Sequence, residues 1–130
     1  MTFAYVIMAD TDEEAQSIAT WVKDEVDEEA ADLFIARATG RMGWSGAAGP
    51  QHEGETMREQ VGNDAYLRMA IGLGGLQVFG SPETVAETFR ELHDEGGMEG
   101  ILICYFDPKE GLRQTEDSLI PILKKMGLRK

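Results

Sequence analysis

The sequence has 130 residues, 42% of them hydrophobic, and a formal net charge of −12. It is long enough to bury the core of one domain, but a complete eight-stranded α/β barrel takes about 200 to 250 residues. The acidic surface repels nucleic acid backbones and anionic lipid, and the single cysteine, Cys104, excludes an internal disulfide. With no apolar run long enough for a bilayer and no basic leader, we expect a cytoplasmic protein without nucleic acid or membrane partners.

The first part of the chain predicts a buried strand followed by two helices. Phe3–Ala9 is a continuous apolar run, which is typical of a parallel strand covered on both faces. Thr11 and Glu14 form a capping box, and the helix behind it repeats apolar residues at helical spacing: Ala15, Ile18, Ala19 and Val22. A second helix is predicted from near Asp27, with these residues on successive turns: Ala30, Leu33, Phe34 and Arg37.

The segment 39–56 is rich in glycine and has no apolar periodicity, which predicts a mobile loop. Arg41, Trp44 and His52 are the candidates in this sequence for contacting a substrate, because large side chains with polar tips can close over a ligand from such a loop. The alternative, that they are exposed loop residues without a ligand, stays open.

The next part of the chain predicts a helix over 63–72 and then "LQVFG", a short connector or strand fragment. A well-marked helix follows, with Ser81 as its N-cap and Pro82 in its first turn. Val85, Phe89 and Leu92 form its buried stripe, with Ala86 beside it, and the helix ends at Gly96 and Gly97.

The last part of the chain predicts a strand and a closing helix. The apolar run 100–106 is expected to be covered on both faces, with Cys104 as a small core residue. The final helix turns four residues inward, namely Leu112, Leu119, Leu123 and Met126. Pro121 predicts a kink or a late restart within it.

No chemical motif stands out. A dinucleotide fingerprint starting at Gly72 would need glycine where Gln77 stands. Phosphate binding at the helix start is disfavoured, because Pro82 removes one N–H donor and Glu83 already brings a negative charge to that end. His52, His93 and Cys104 fall in a loop, a helix and a strand, so no metal site and no catalytic nucleophile is predicted, and the many carboxylates are expected on solvated helix faces.

Three motifs in order resemble the carboxyl-terminal part of the bacterial luciferase-like, flavin-dependent monooxygenases, in particular the branch that acts on pyrimidines, sulfones and alkanesulfonates. The first opens a late barrel helix: Gly80, Ser81, Pro82, Glu83, Val85 and Ala86. The second covers the last barrel strand and the glycines that precede it: Gly97, Gly100, Ile101, Leu102, Ile103 and Phe106. The third lies in the final helix: Pro121 and Leu123.

The resemblance implies an α/β fold: a single partial TIM barrel over 1–130 that holds its carboxyl-terminal segment, with two buried parallel strands and about five helices. It implies the carboxyl-terminal part of an enzyme that oxidises a small organic substrate with O2 and reduced FMN. The flavin-contacting residues of the family lie mostly earlier in the barrel, so no catalytic or cofactor-binding residue maps onto this chain, which we expect to be inactive alone and not to bind FMN tightly. The alternative is a non-catalytic assembly module that pairs with itself or with a companion chain supplying the rest of the barrel.

Overall fold

The computed structural model describes residues 1–38, 57–72 and 74–130, which belong to two compact units. The first unit combines Met1–Val22 with Leu76–Lys130, and the second is Lys23–Gly75. The predicted single partial-barrel domain and the predicted mobility of the loop stay predictions, and the loop lies outside the described residues.

The first unit contains a parallel sheet and the helices that follow its strands. The strands are β1 (Thr2–Met8), β2 (Leu76–Gly80) and β3 (Ile101–Tyr105). The helices are α1 (Asp12–Asp24), which continues past the edge of this unit, α5 (Pro82–Gly96), α6 (Pro108–Gln114) and α7 (Ile120–Lys125). None of the helices in the described part of the chain has the length and apolar character that a membrane crossing requires.

The strand order is β2-β1-β3, and all neighbouring strands are parallel. Val6 of β1 is opposite Val78 of β2 and Tyr105 of β3. A TIM barrel sets successive strands side by side in chain order and closes on itself. Here β1 lies in the middle of a three-stranded sheet that does not close on itself among the described residues. The α/β arrangement is consistent with the predicted partial TIM barrel, but the barrel itself is not confirmed.

One face of this sheet carries the core of the first unit. Residues of β1 and β2 pack there against α5 and the final helical segment, and the fully buried members are Ala4, Val6, Met8, Val78, Val85, Ala86, Phe89 and Leu119. Helix α5 is positioned as predicted: the Ser81 side chain accepts a hydrogen bond from Thr84 N, and Gly97 ends the helix in a left-handed conformation (φ 61°).

Two strand predictions were wrong. "LQVFG" is a full strand, so the sheet has three strands rather than two. β3 is an edge strand, because among the described residues it pairs with β1 alone. One of its faces packs, partly buried, against the core, whereas the other is open, with Leu102 56% exposed and Cys104 exposed as well. Cys104 is therefore not the core residue that the apolar run predicts.

The final helical segment has an irregular turn close to Pro121, where the sequence predicts a kink or a restart. A π-helical turn, Thr115–Leu119, joins α6 to α7 just before the proline. A π turn inserts an extra residue and rotates the helix face. The predicted inward stripe therefore holds only for Leu119 and Leu123, while Leu112 is 61% exposed and Met126 is 36% exposed.

The second unit contains α2 (Glu28–Ala38), α3 (Met57–Val61) and α4 (Asn63–Ala70). Asp27 caps α2 by accepting a hydrogen bond from Ala30 N. The core of the unit is formed by Ala31, Ile35 and Tyr66, whereas Leu33 and Phe34, which the sequence places on successive turns of α2, are exposed. The reason is that α2 packs on α4 through the neighbouring face, which periodicity in a largely apolar helix does not distinguish.

Candidate functional site

The carboxyl ends of the strands form the natural place for a site in the first unit. In open parallel sheets, ligands bind outside these ends, where the connections leave a central strand in opposite directions. The chain leaves β1 for β2 on one side and later crosses to β3 on the other. This edge, formed by the strand ends and the starts of α1, α5 and α6, is called the carboxyl edge below.

A cavity of about 260 Å³ opens at the carboxyl edge between β1 and β3. It is lined by strand ends, α1 and α6: Val6, Ile7, Met8, Ile18, Trp21, Tyr105, Phe106, Asp107, Glu110, Gly111 and Gln114. Its size is just below the range of ordinary small-molecule pockets, and its lining is mainly apolar and aromatic, as such pockets usually are.

Two aromatic rings form one wall of this cavity. Trp21 of α1 and Phe106 meet edge to face, with ring centroids 5.7 Å apart and an interplanar angle of 83°. The side chains are 54% and 42% exposed, so both rings contact solvent at the cavity mouth. Their position lets them contact an apolar ligand.

Tyr105 and Gly111 shape the inner end of the cavity. The Tyr105 hydroxyl and the Thr115 hydroxyl lie 2.5 Å apart, within hydrogen-bonding distance. Gly111 is buried against the Tyr105 side chain so closely that a Cβ at Gly111 would lie 2.7 Å from Tyr105 Cβ. Only a residue without a side chain allows α6 to approach β3 in this way.

The charges at this cavity are acidic and already have partners. Asp107 caps α6, its Oδ1 accepting hydrogen bonds from Lys109 N (2.9 Å) and Glu110 N (3.1 Å). Glu110 forms an ion pair with Arg113, whose hydrogen bond holds the pKa of the Glu110 carboxyl below its usual value. Arg113 in turn also donates to Asp117.

The start of α5 is occupied by a carboxylate from the start of α1. Asp12 Oδ1 accepts a hydrogen bond from Ser81 N at 2.7 Å, and Asp12 Oδ2 accepts one from the Thr84 hydroxyl at 2.9 Å. The bond from Ser81 N, followed by that from Thr84, lowers the pKa of Asp12. A Cβ at Gly80 would lie 2.9 Å from Asp12 Oδ1, so glycine is needed for this approach.

The two helix starts at this edge therefore hold carboxylates of the chain itself, Asp12 at α5 and Asp107 at α6. The sequence argument against phosphate at α5 was based on Pro82 and Glu83, and the structure adds a stronger reason in Asp12, which the sequence did not indicate. The starts of α5 and α6 thus do not fit the phosphate of FMN, because Ser81 N, Lys109 N and Glu110 N already donate to carboxylates of the chain.

The substrate candidates from the sequence, Arg41, Trp44 and His52, lie outside the described residues, so they stay predictions. His93 is exposed on α5 with Nδ1 3.0 Å from Asp94 Oδ1. Within the described ranges, no three His, Cys, Asp or Glu side chains come together as a metal site requires.

Sequence reasoning missed Trp21 and Phe106. A signal existed for Phe106 and Asp107, since they directly follow a strand, but none existed for Trp21 on α1.

A second cavity of about 280 Å³ lies at the opposite, amino end of β3. It has apolar walls from α5, β3 and α7, with His93, Glu99 and Arg129 among its lining residues. Residues at the amino ends of strands in α/β proteins mainly serve stability. The carboxyl-edge cavity is therefore the better candidate site despite its slightly smaller volume.

Comparison with known proteins shows that this chain shares its fold with solved structures. No protein-family model matches the chain, and no curated protein has significant sequence similarity to it. The structure is similar to DmoA from Hyphomicrobium sulfonivorans, with a TM-score of 0.73, 22% identity, and coverage of 98% of this chain and 30% of that one.

Two further solved structures are similar over nearly the whole chain. One is riboflavin lyase (RcaE), solved with modified FMN and riboflavin, which has a TM-score of 0.68 and 21% identity over 99% of this chain. The other is long-chain alkane monooxygenase (LadA), which has a TM-score of 0.70 and 18% identity over 98% of this chain. The chain spans 31% and 29% of their lengths. These neighbours are luciferase-like flavin monooxygenases, so the resemblance seen in the sequence is confirmed at the level of fold.

Proposed function

We propose that this chain forms part of a luciferase-like, flavin-dependent monooxygenase that oxidises a small organic substrate. The observation that carries the proposal is the likeness in fold, over 98% or more of the chain, to proteins that include a long-chain alkane monooxygenase and an FMN-containing riboflavin lyase. The apolar cavity at the carboxyl edge supports it, because that is the edge at which α/β proteins carry their chemistry.

The carboxyl edge indicates which part of such an enzyme contacts the substrate and which part holds the flavin. Flavin supplies the redox chemistry in enzymes of this class. The described residues here offer an apolar surface for substrate, through Trp21 and Phe106, but no place for the FMN phosphate. The flavin would therefore be held by residues beyond those described, in keeping with a chain that spans about 30% of its structural neighbours.

The test is to produce the chain with and without the polypeptide that supplies the remaining strands, whether encoded in the same protein or in a neighbouring reading frame. We expect FMN retention and substrate-dependent O2 consumption in the presence of reduced flavin only when both are present. Turnover by the 130-residue chain alone, or a combined preparation that retains no flavin, would contradict the proposal.

A second candidate is a non-catalytic assembly module, and one observation favours it. The uncovered face of β3 presents Leu102 and Cys104, and Phe106 continues the same alternation just past the strand end. β3 is also a sheet edge that carries no charged residue, and such edges tend to pair with another chain. Its partner would be a second copy or the chain carrying the remaining strands.

Light scattering over a concentration series tests this second candidate. Leu102→Glu should prevent association, whereas Leu112→Glu, on a residue of similar exposure in α6, should leave it intact. A clean monomer at high concentration, or an equal effect of both variants, would count against the assembly module.

A further inference from the structure

The structure assigns a charge preference to the carboxyl-edge cavity: we propose that it accepts small apolar ligands that are neutral or cationic and excludes anions. This inference rests on the proposed function, since it names the substrate class of the same site. It goes further, because the resemblance in sequence includes enzymes for anionic sulfonates as well as neutral molecules.

The first argument is the shape and polarity of the cavity. Its volume of about 260 Å³ suits a molecule of one or two rings or a short chain. Trp21, Phe106 and the β1 residues Val6, Ile7 and Met8 give it apolar walls. Gln114 brings an uncharged amide to the lining, and this amide can both donate and accept hydrogen bonds.

The second argument is the sign of the charges. Two carboxylates, Asp107 and Glu110, line the cavity. Among the described residues that line it, none is Lys, Arg or His. An anion entering this partly enclosed space would be repelled by both carboxylates, whereas a cation would be attracted.

The third argument concerns the groups that could otherwise attract an anion. Helix α6 carries two cations outside the lining: Arg113 is held by Glu110 and Asp117, and the charge of Lys109 acts on Glu110, whose pKa it lowers. The N–H groups at the start of α6 donate to Asp107, and Ser81 N and the Thr84 hydroxyl at the start of α5 donate to Asp12. An anionic ligand would have to displace one of these carboxylates to reach the donors at either helix start.

The experiment compares three probes of nearly equal size: benzylamine, benzyl alcohol and benzoate. Binding to the full chain is followed by the NMR shifts of the backbone amides of Phe106, Asp107 and Glu110 at low salt and neutral pH. We expect benzylamine and benzyl alcohol to bind at least about tenfold more tightly than benzoate, a preference that weakens at high salt because the ligand charge is then screened.

Glu110→Gln provides the matching variant, because it removes one cavity carboxylate and leaves Arg113 with Asp117 as its remaining ion-pair partner. Benzoate should then bind several-fold more tightly and benzylamine more weakly, while Glu116→Gln, an exposed acid that does not line the cavity, should change neither. Equal affinity for benzoate and benzyl alcohol in the unmodified chain would overturn the charge preference, and the absence of shifts with all three probes would overturn the site. Both measurements are made without flavin, so either failure is distinguishable from failure of the monooxygenase proposal.

Discussion

Asp12 and Ser81 are 69 positions apart in sequence, and Asp12 Oδ1 accepts the Ser81 N–H at 2.7 Å. This hydrogen bond joins the start of α1 to the start of α5 at the carboxyl edge. Gln16 Nε2 adds a bond to Phe79 O in the same region. The bond from Ser81 also fills the position where a phosphate would otherwise be held, which connects the stability of the sheet edge with the ligands that it can accept.

Asp12→Asn tests the contribution of this carboxylate through pH. Because the pKa of Asp12 is lowered in the folded protein, the stability it supplies is present above the unfolded value of about 3.9 and is lost as pH falls through the folded pKa. The variant should have a lower Tm at pH 7 and a shallower loss of stability below about pH 4.

Glu13→Gln is the control for this measurement, since it removes the same charge from the same first turn of α1. Thermal unfolding of the three proteins from pH 3 to pH 7 gives the comparison. If Asp12→Asn and Glu13→Gln follow the same curve, the bond to Ser81 contributes nothing specific.

Gly80→Ala tests the close approach at the start of α5. A Cβ there would lie 2.8 Å from Thr84 Cγ2 and 2.9 Å from Asp12 Oδ1, so the two helix starts must separate. We expect a loss of about 1 to 3 kcal/mol in the free energy of unfolding, as for other overpacked positions. Denaturant titration measures it, with Gly100→Ala as the control because its nearest atom would be Met1 Cγ at 3.8 Å. Equal stability of the two variants would refute the crowding.

Gly111→Ala tests the contact that shapes the cavity. The added methyl group would overlap the Tyr105 ring, so Tyr105 has to move and its hydrogen bond with Thr115 has to break. We expect marked destabilisation and altered NMR shifts at Phe106. Gly96→Ala, in α5 with no atom within 4 Å of its Cβ, should instead be neutral or slightly stabilising. A Gly111→Ala protein with unchanged stability would show that α6 and β3 do not pack as described.

Tyr66 in the second unit should govern the alkaline limit of stability. Its ring is 1% exposed, and burial followed by a hydrogen bond with Asp32 raises its pKa to about 12. Glu28 O, 3.2 Å from the Tyr66 hydroxyl, is a second acceptor for its single proton, and Arg58 lies over the ring, 4.9 Å from its centroid. Burial and the hydrogen bond with Asp32 favour the neutral phenol, and they outweigh the opposite effect of the Arg58 charge.

Because the folded pKa is raised, the stability that Tyr66 supplies is complete below about pH 10, the unfolded value, and is lost as pH rises towards 12. Unfolding followed between pH 9 and 12 should show a steeper alkaline loss for the unmodified chain than for Tyr66→Phe. Identical slopes would mean that Tyr66 titrates as an exposed tyrosine does.

Local signals in the sequence predict the helices whose ends are marked by capping residues. Ser81 and Gly97 bound α5 as capping rules predict, and Thr11 caps α1, accepting from Glu14 N at 3.2 Å. The sequence gives only a weak strand signal for β2, because just four residues stand between two glycines. Its pairing with β1 supplies the stability that its own sequence does not show.

Relationships between distant segments could not be predicted. The apolar run containing Cys104 indicates burial on both faces, but burial depends on what covers the strand, and β3 is an edge in the described residues. The Asp12–Ser81 bond and the Trp21–Phe106 contact depend on the strand order, which no local pattern specifies.

We propose that this chain contributes substrate-contacting surface to a flavin enzyme without holding the flavin phosphate itself. The most direct test is a titration of FMN with the purified chain, followed by the quenching of flavin fluorescence. We predict no saturable binding in the submicromolar range, because Asp12 and Asp107 occupy the helix starts at the carboxyl edge. Submicromolar affinity of the isolated chain for FMN would contradict the account.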